Sequence, residues 1–271
     1  MIPITNPLTE VDSHLRTTLA PRLVQSVRRN LNYGTKNVRL FEFGKVFIPG
    51  SPRPAEDYQE VERLGIVATG AAYGPFWSSS RDDFQFLHLK GIVEALVHQL
   101  DLKPEFQRTS DVAFLHPGVA AELSVNGEPI GWLGQLHPRL QEAYKFLQKI
   151  FLAELSVELL YPQTLSEPLY ISLAKFPSVE SDFSFIVDKG VEYYRIESAI
   201  KRLDIPDLRD VRLIDLYQGA TLPKDKVSLT VRLTFVNLER TLTQEEVNRY
   251  SDLVSSTLRS TFGAKGRSWP A

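Results

Sequence analysis

An aromatic ring and a carboxylate occur two residues apart in the sequence VRLIDLY, as Asp215 and Tyr217. Side chains alternate between the two faces of a strand, so this pair would share one face with Leu213. The same alternation predicts that Ile214 and Leu216 lie on the opposite face and enter a core. A tyrosine ring can stack on an unpaired nucleic-acid base, and a carboxylate can accept a hydrogen bond from a base amino group. We therefore expect this strand to contribute to a surface that binds single-stranded RNA.

Two other runs of alternating residues predict strands beside this one. Residues 228–235 alternate apolar side chains with Ser228, Arg232 and two threonines, and residues 182–187 place Ser184 opposite three apolar side chains. Three half-buried strands with a polar second face are typical of an antiparallel sheet that is open on one side. We expect Ser184 and Ser228 to reach base edges or the RNA backbone, and Arg232, the one cation central to this face, to be available to a phosphate. The alternative is that all of them are ordinary solvated polar residues of a sheet.

The composition is that of a globular protein, since 43% of the 271 residues are hydrophobic and 24% are charged. This length is enough for two domains. No apolar run is long enough to span a bilayer and no secretory signal is recognisable, so we expect a soluble, cytoplasmic protein with no membrane partner. The absence of cysteine excludes disulfides, thiolate zinc sites and a cysteine nucleophile. The net charge of −2 argues against a non-specific nucleic-acid binder, which needs a basic surface.

The first part of the chain predicts a mixed α+β domain with a largely antiparallel sheet. Leucine and valine recur every four residues over about 18–32, which predicts an amphipathic helix. The apolar run at 38–47 predicts a strand of a mostly buried sheet, and the prolines and glycine at 49–52 predict a turn after it. Alternating runs on either side of Asn126-Gly127 predict a hairpin, because these two residues tolerate the positive φ angles of a tight turn. Further elements are predicted at 63–70, 89–100, 138–146 and 151–157.

The second part of the chain predicts the element order βαββαβ. The segment 161–175 contains prolines and few periodic apolar residues, so it is the best linker candidate. We place one domain at 1–165 and the other at 166–271. The order βαββαβ is the ferredoxin-like topology that RNA-recognition modules also use. The predicted elements lie at about 182–187, 192–203, 211–217, 228–236, 243–262 and 264–269. Thr243 and Glu246 predict a capping box at the start of the last helix, and Gly263 is expected to end it.

Short motifs in both parts resemble one known family. Those of the first part are NPL at 6–8, LRTTL at 15–19, RLFEFGKVF at 39–47, LKG at 89–91, HPG at 116–118 and GWLGQLHP at 131–138. Those of the second part are FPSV at 176–179, YQG at 217–219, RLTF at 232–235, ERTLT at 239–243 and FGA at 262–264. Each motif alone is weak, but their order over nearly the whole chain resembles the C-terminal part of the bacterial phenylalanyl-tRNA synthetase beta subunit.

The resemblance implies both a fold and a function. In that family, the region like 1–165 is a class II synthetase fold without catalytic residues that packs against the catalytic alpha subunit. The region like 166–271 is a ferredoxin-fold domain that holds the anticodon of phenylalanine tRNA. The resemblance thus implies an (αβ)2 enzyme that joins phenylalanine to tRNA with ATP and magnesium, of which this chain would be a fragment without a cofactor of its own. It also favours stacking of Tyr217 on an anticodon base over a tyrosine at a covered sheet edge.

Two departures from the family limit what the resemblance implies. Ser181 stands where the family usually has an arginine, so no phosphate contact is carried over to that position. The N-terminal two-thirds of the family's subunit, with its other tRNA-binding and editing-type domains, have no counterpart in this sequence, and we expect a fragment.

The sequence predicts no catalytic residue and no metal site in the first domain. A class II active site needs one arginine on the α-phosphate of ATP and another after a glycine-rich strand, because charge builds on that phosphate. No glycine-rich stretch leads into a Glu-Arg pair within 120–165, and Arg39 and Glu42 suit structural pairing. The histidines show no helical pairing with a carboxylate that would indicate a metal site. We expect instead an exposed apolar patch for the alpha subunit, at a position that the sequence does not give.

A second hypothesis is a protein-interaction or small-molecule-sensing protein without RNA binding. Ferredoxin-like sheets also dimerise and bind amino acids, and a fold does not determine a function. An exposed tyrosine with acceptor groups beside it favours RNA.

Overall fold

The computed structural model describes residues 3–4, 6, 13–49, 58–74, 77, 82–160, 175–219 and 221–266. Contacts within the chain define two compact units, Met1–Pro168 and Leu169–Ala271. Most of the predicted linker at 161–175, the domain boundary after residue 165 and the turn after residue 49 lie outside the described residues.

The first unit is built on one antiparallel sheet. Its elements are α1 (Ala20–Asn32), β1 (Val38–Pro49), β2 (Tyr58–Thr69), α2 (Phe86–His98), β3 (Pro104–Arg108), β4 (Leu115–Val125), β5 (Glu128–Leu136), α3 (Pro138–Ala143), β6 (Phe151–Ser156) and α4 (Val157–Leu160). The six strands lie in the order β1-β2-β6-β5-β4-β3. The sequence did not predict β3 or α4, which are too short to show a periodic pattern.

Helices cover both faces of this sheet. On one face, α1 packs Leu23 and Val27 against a core that includes Leu152 of β6. On the other face, α2 packs Leu89 and Val93 against a second core. The apolar stripe predicted for α1 is therefore confirmed as its buried face. The predicted hairpin is also confirmed, because the residues between β4 and β5 have positive φ angles of 53° at Asn126 and 80° at Gly127.

The strand predicted at 38–47 is confirmed as β1, but two of its aromatic side chains are not buried. β1 pairs with β2 at one end of the sheet, and Phe41 and Phe43 are 72% and 63% exposed. The two rings contact each other edge to face, with centroids 6.5 Å apart. A continuous apolar run is compatible with a central strand. It is equally compatible with an edge strand that has an apolar contact surface, so the sequence pattern did not distinguish the two.

A buried carboxylate, that of Glu154 in β6, holds the start of α1. Glu154 is 4% exposed. Its Oε2 accepts a hydrogen bond of 2.6 Å from the Thr18 hydroxyl and one of 2.8 Å from the Leu19 N–H. Burial raises the pKa of the Glu154 carboxyl, and the two hydrogen bonds oppose that rise.

We expect Glu154→Gln to remove the pH dependence that this carboxyl gives to the stability of the first unit. Its pKa is higher in the folded protein than in the unfolded protein, so the folded state binds the proton more tightly. The stabilisation is therefore complete below the ordinary glutamate pKa and is lost as the pH rises through the folded pKa. In urea unfolding, the stability of the variant relative to the unsubstituted protein should rise from about pH 4 to about pH 8.

Glu154→Ala is the matched comparison for this experiment. It removes both acceptor oxygens, so the Leu19 N–H and the Thr18 hydroxyl lose their partner at every pH. Such a loss costs about 1–3 kcal/mol. If the difference in unfolding free energy between Glu154→Gln and the unsubstituted protein is the same at about pH 4 and about pH 8, the Glu154 carboxyl is not the source of the pH dependence.

The second unit is a four-stranded sheet with two helices on one face. Its elements are β7 (Val179–Asp188), α5 (Tyr193–Lys201), β8 (Leu208–Tyr217), β9 (Lys226–Phe235), α6 (Gln244–Phe262) and β10 (Lys265–Gly266). The strands lie in the order β10-β7-β9-β8, and every neighbouring pair is antiparallel. The predicted ferredoxin-like βαββαβ topology is confirmed.

The predicted ends of α6 are confirmed as well. The Thr243 side chain accepts from the Glu246 N–H, and the Glu246 carboxylate accepts from the Thr243 N–H at 3.0 Å, which is a capping box. Gly263 ends the helix with a φ of 63°. The Arg240 guanidinium lowers the pKa of the Glu246 carboxyl well below its usual range, so the capping carboxylate stays charged.

Candidate RNA-binding face

None of the helices among the described residues covers one side of the sheet in the second unit, and we call this side the open face. Core residues such as Phe185 and Leu229 point toward α5 and α6, so their neighbours along each strand point away from the helices. The strand register brings these outward residues together across three strands. They are Glu180, Asp182, Ser184, Ile186 and Asp188 of β7, Asp210, Arg212, Asp215 and Tyr217 of β8, and Lys226, Ser228, Thr230, Arg232 and Thr234 of β9.

An irregularity in β8 decides which of its side chains reach the open face. Leu213 pairs with Val231 and Asp215 pairs with Thr230, so one extra residue, Ile214, stands between consecutive pairs. Such a bulge shifts the alternation of side chains by one residue. The expected positions of Leu213 and Ile214 are therefore wrong, because Leu213 packs against the core and Ile214 is 42% exposed.

Beyond the bulge, β8 returns to regular alternation. Tyr217 pairs with Ser228 and, like Asp215, lies on the open face. Leu216 pairs with the core residue Leu229 but is 53% exposed, so the expectation that it enters the core is also wrong. Tyr217 is 38% exposed, which leaves part of its ring accessible to a ligand.

The two serines differ from the sequence-based expectation. Ser228 is 4% exposed and lies between Ile186 and Tyr217 across the sheet. A base does not reach Ser228 in this conformation, because a neighbouring side chain such as Ile186 would have to move. Ser184 is half-buried, and its hydroxyl lies 2.8 Å from that of Thr230, a residue that was not predicted to belong to the site.

Arg232 is central to the open face but is bound by carboxylates. Its Nε and Nη2 donate to the two carboxylate oxygens of Asp182 at 2.7 and 2.8 Å, and its Nη1 lies 2.9 Å from Glu180 Oε2. The Arg232 guanidinium lowers the pKa of the Asp182 carboxyl. The expectation of a cation available to a phosphate is thus not met by the geometry, since both ends of the guanidinium are engaged.

Arg232 is also not the one cation at the centre of this face. Arg212 lies opposite it on β8, and Arg212 is paired with Asp210 at 3.1 Å. Regular alternation puts Arg212 on the same side as Ile214, so its place on the open face could not be predicted without the bulge. With both central arginines paired, the open face offers the Tyr217 ring, hydroxyls and acceptors rather than unpaired positive charge. This chemistry suits base edges more than phosphates.

In the first unit, the residues near the expected position of a class II ATP-binding arginine have structural partners. Arg39 Nη2 donates to the backbone carbonyls of Ala71 and Ala72 at 2.8 and 2.6 Å. Glu42 accepts from Arg16. The interpretation of Arg39 and Glu42 as structural residues agrees with these contacts.

Within the described ranges of the chain, no group of three or more His, Asp or Glu side chains is arranged to hold a metal ion. None of the helices in those ranges combines the length and apolarity that crossing a membrane requires.

Comparison with known proteins gives matches to both units. The family model described as phenylalanyl tRNA synthetase beta chain CLM domain matches residues 1–157, and that of the ferredoxin-fold anticodon binding domain matches residues 174–267. The phenylalanine–tRNA ligase beta subunit of Carboxydothermus hydrogenoformans is 35% identical, over 97% of this chain and 33% of that protein. That of Clostridium tetani is 36% identical, over 98% of this chain and 32% of that protein. The chain therefore spans about a third of the length of these curated relatives.

Solved structures give a weaker likeness. A pyrrolysyl tRNA synthetase from Desulfitobacterium hafniense is 16% identical, with a TM-score of 0.41 over 58% of this chain and 51% of that one. This likeness is too weak to serve as an argument.

The two matched families define the class of the protein, an aminoacyl-tRNA synthetase component with a synthetase-type domain and an anticodon-binding-type domain. The chain belongs to the phenylalanyl-tRNA synthetase beta chain family. The resemblance that the short motifs indicated is thereby confirmed.

Proposed function

We propose that the chain works as the C-terminal part of a phenylalanine–tRNA ligase beta subunit, in which the second unit binds the anticodon of phenylalanine tRNA. The observation that carries this proposal is the open face, where Asp215, Tyr217, Ser184 and Thr230 come together from three strands. Tyr217 would stack on a base, Asp215 would accept from a base amino group, and the hydroxyls would meet base edges or riboses. Ser228 would join them only after a side-chain movement.

We propose that the chain also has the partners and the location of a synthetase subunit. The first unit would dock a catalytic alpha subunit in an (αβ)2 assembly, and ATP and magnesium would be bound by that subunit. Aminoacylation of tRNA would place the protein in the cytoplasm. The match to an anticodon-binding domain supports this function over a sensing or purely protein-binding role.

Titration of the chain with phenylalanine tRNA and with a non-cognate tRNA, at several salt concentrations, tests the proposal. We expect tighter binding of phenylalanine tRNA and a weak salt dependence, because the open face contributes few unpaired cations. Equal binding of both tRNAs with a steep salt dependence would instead indicate non-specific attraction to phosphates.

The exposed rings of β1 provide the surface for the alpha subunit. Phe41 and Phe43 are the most exposed apolar side chains among the described residues of that strand. On β2, Ile66 pairs with Phe41 and is partly buried, whereas Leu64 pairs with Phe43 and is buried in the core. Large aromatic side chains that become fully buried on binding are the usual sources of binding energy in protein interfaces. We therefore place the docking surface at this end of the sheet.

Arg232→Ala is expected to weaken binding of phenylalanine tRNA by about two- to fivefold, the range of interactions between exposed charges. Without the guanidinium, the carboxylates of Asp182 and Glu180 lose their positive partner and repel the RNA backbone. Filter-binding titrations at constant salt measure this loss.

The combined variant Arg232→Ala/Asp182→Asn is the control, because it removes the cation together with one of its carboxylates. It should regain most of the lost affinity if Arg232 acts by neutralising its neighbours. A combined variant as weak as Arg232→Ala, with a lower salt dependence, would mean that Arg232 contacts a phosphate directly.

A further inference from the structure

The ring of Tyr217 lies against Gly219, two residues further along the chain. A Cβ atom placed on Gly219 would lie 2.2 Å from the Tyr217 hydroxyl oxygen, 2.4 Å from its Cζ and 3.0 Å from its Cε2. Atoms do not approach so closely, so any larger residue at position 219 would displace the ring. The Tyr217 hydroxyl also lies 3.2 Å from the Thr221 hydroxyl, within hydrogen-bond distance.

The backbone does not explain a glycine at position 219. The described glycines with positive φ angles are Gly34, Gly70, Gly127 and Gly263, and Gly219 is not one of them. The three atoms nearest to such a Cβ all belong to the Tyr217 side chain. In the structure, the absence of a side chain at position 219 therefore serves to make room for that ring.

We infer that Gly219 and Thr221 form a ring seat that holds Tyr217 in the position from which it stacks on an RNA base. The inference rests on the proposed function and adds positioning residues to it. An aromatic side chain that is already fixed loses little conformational entropy when the base arrives, so the seat increases affinity without touching the RNA. The YQG sequence at 217–219 thus supplies both the ring and its support.

The test is the Gly219→Ala variant. We expect it to weaken binding of phenylalanine tRNA by about two- to tenfold, because the displaced ring must be ordered again on binding. Stability should change little, since the clash involves the distal end of a side chain that can swing into solvent. In NMR spectra of protein with labelled tyrosine rings, the Tyr217 signal is the one that is missing from the spectrum of Tyr217→Phe. Gly219→Ala should change the chemical shift of this signal.

Gly190→Ala is the matched control. Gly190 lies between β7 and α5, it has no positive φ angle, and a Cβ there would meet no atom within 4 Å. The same change at this position should affect neither the Tyr217 signal nor tRNA binding.

A double-mutant cycle separates positioning from other effects. In the Tyr217→Ala background, Gly219→Ala should have no further effect on tRNA affinity, because no ring remains to be held. If Gly219→Ala weakens tRNA binding equally with and without the Tyr217 ring, it does not act through that ring. If it strengthens binding when the ring is present, the seat does not hold the ring in the position that binds RNA. Either result overturns the inference. If Tyr217→Ala alone leaves tRNA affinity unchanged, the proposed function of the open face fails and the inference falls with it.

Discussion

Tyr217→Ala is expected to weaken binding of phenylalanine tRNA by roughly ten- to a hundredfold, because stacking of a base on an aromatic ring is worth about 1–3 kcal/mol. The ring lies on the open face, is 38% exposed and is held beside Asp215, which is exposed too. Thermal stability should remain nearly unchanged, since the removed ring is not part of the hydrophobic core. Binding titrations and thermal unfolding of the same preparations measure both quantities.

Two further measurements identify the lost interaction as stacking. Tyr217→Phe keeps the ring and loses the hydroxyl contact with Thr221, so it should cost much less than Tyr217→Ala. The salt dependence of binding should stay the same in Tyr217→Ala, because a ring carries no charge. Unfolding of the second unit by Tyr217→Ala, with no separable loss of affinity, would place the RNA-binding surface elsewhere.

The double variant Phe41→Ser/Phe43→Ser is expected to weaken capture of the catalytic alpha subunit by at least about a hundredfold. Aromatic residues at the centre of an interface often contribute about 2 kcal/mol or more each, although the contributions do not add exactly. Both rings are mostly exposed in this chain, so the substitutions should not unfold it. Surface plasmon resonance with the immobilised alpha subunit measures the change.

Leu147→Ser is the control for the double variant. Leu147 belongs to the same unit and is 100% exposed, so it tests whether any lost apolar side chain lowers capture. An equal loss in the control, or undiminished capture by the double variant, would remove β1 as the docking surface.

The correctly predicted elements are those whose sequence pattern lies within the element itself. The stripe of α1, the Asn126-Gly127 turn and the caps of α6 depend on residues a few positions apart, and the structure has all of them. The order βαββαβ followed from such elements alone. The motifs then supplied the family, which no periodicity could have given.

The errors arise from features that depend on pairing between distant segments. The bulge at Ile214 changes which residues of β8 face outward, and it appears only in the register with β9. The pairing of Arg232 with Asp182 joins residues 50 positions apart. Likewise, the edge position of β1 follows from the strand order and not from its own residues.

The contact between Glu154 and the start of α1 has a consequence for how the first unit is made. The two hydrogen bonds span 136 and 135 positions of sequence, and β6, which carries Glu154, lies between β2 and β5 in the sheet. A nascent chain released as far as β5 therefore has two separate strand groups, β1-β2 and β3-β4-β5, and the Leu19 N–H and Thr18 hydroxyl at the start of α1 do not yet have their acceptor. We therefore expect the sheet of the first unit to close only after the ribosome has released β6, and the apolar strands that are exposed until then to be prone to aggregation.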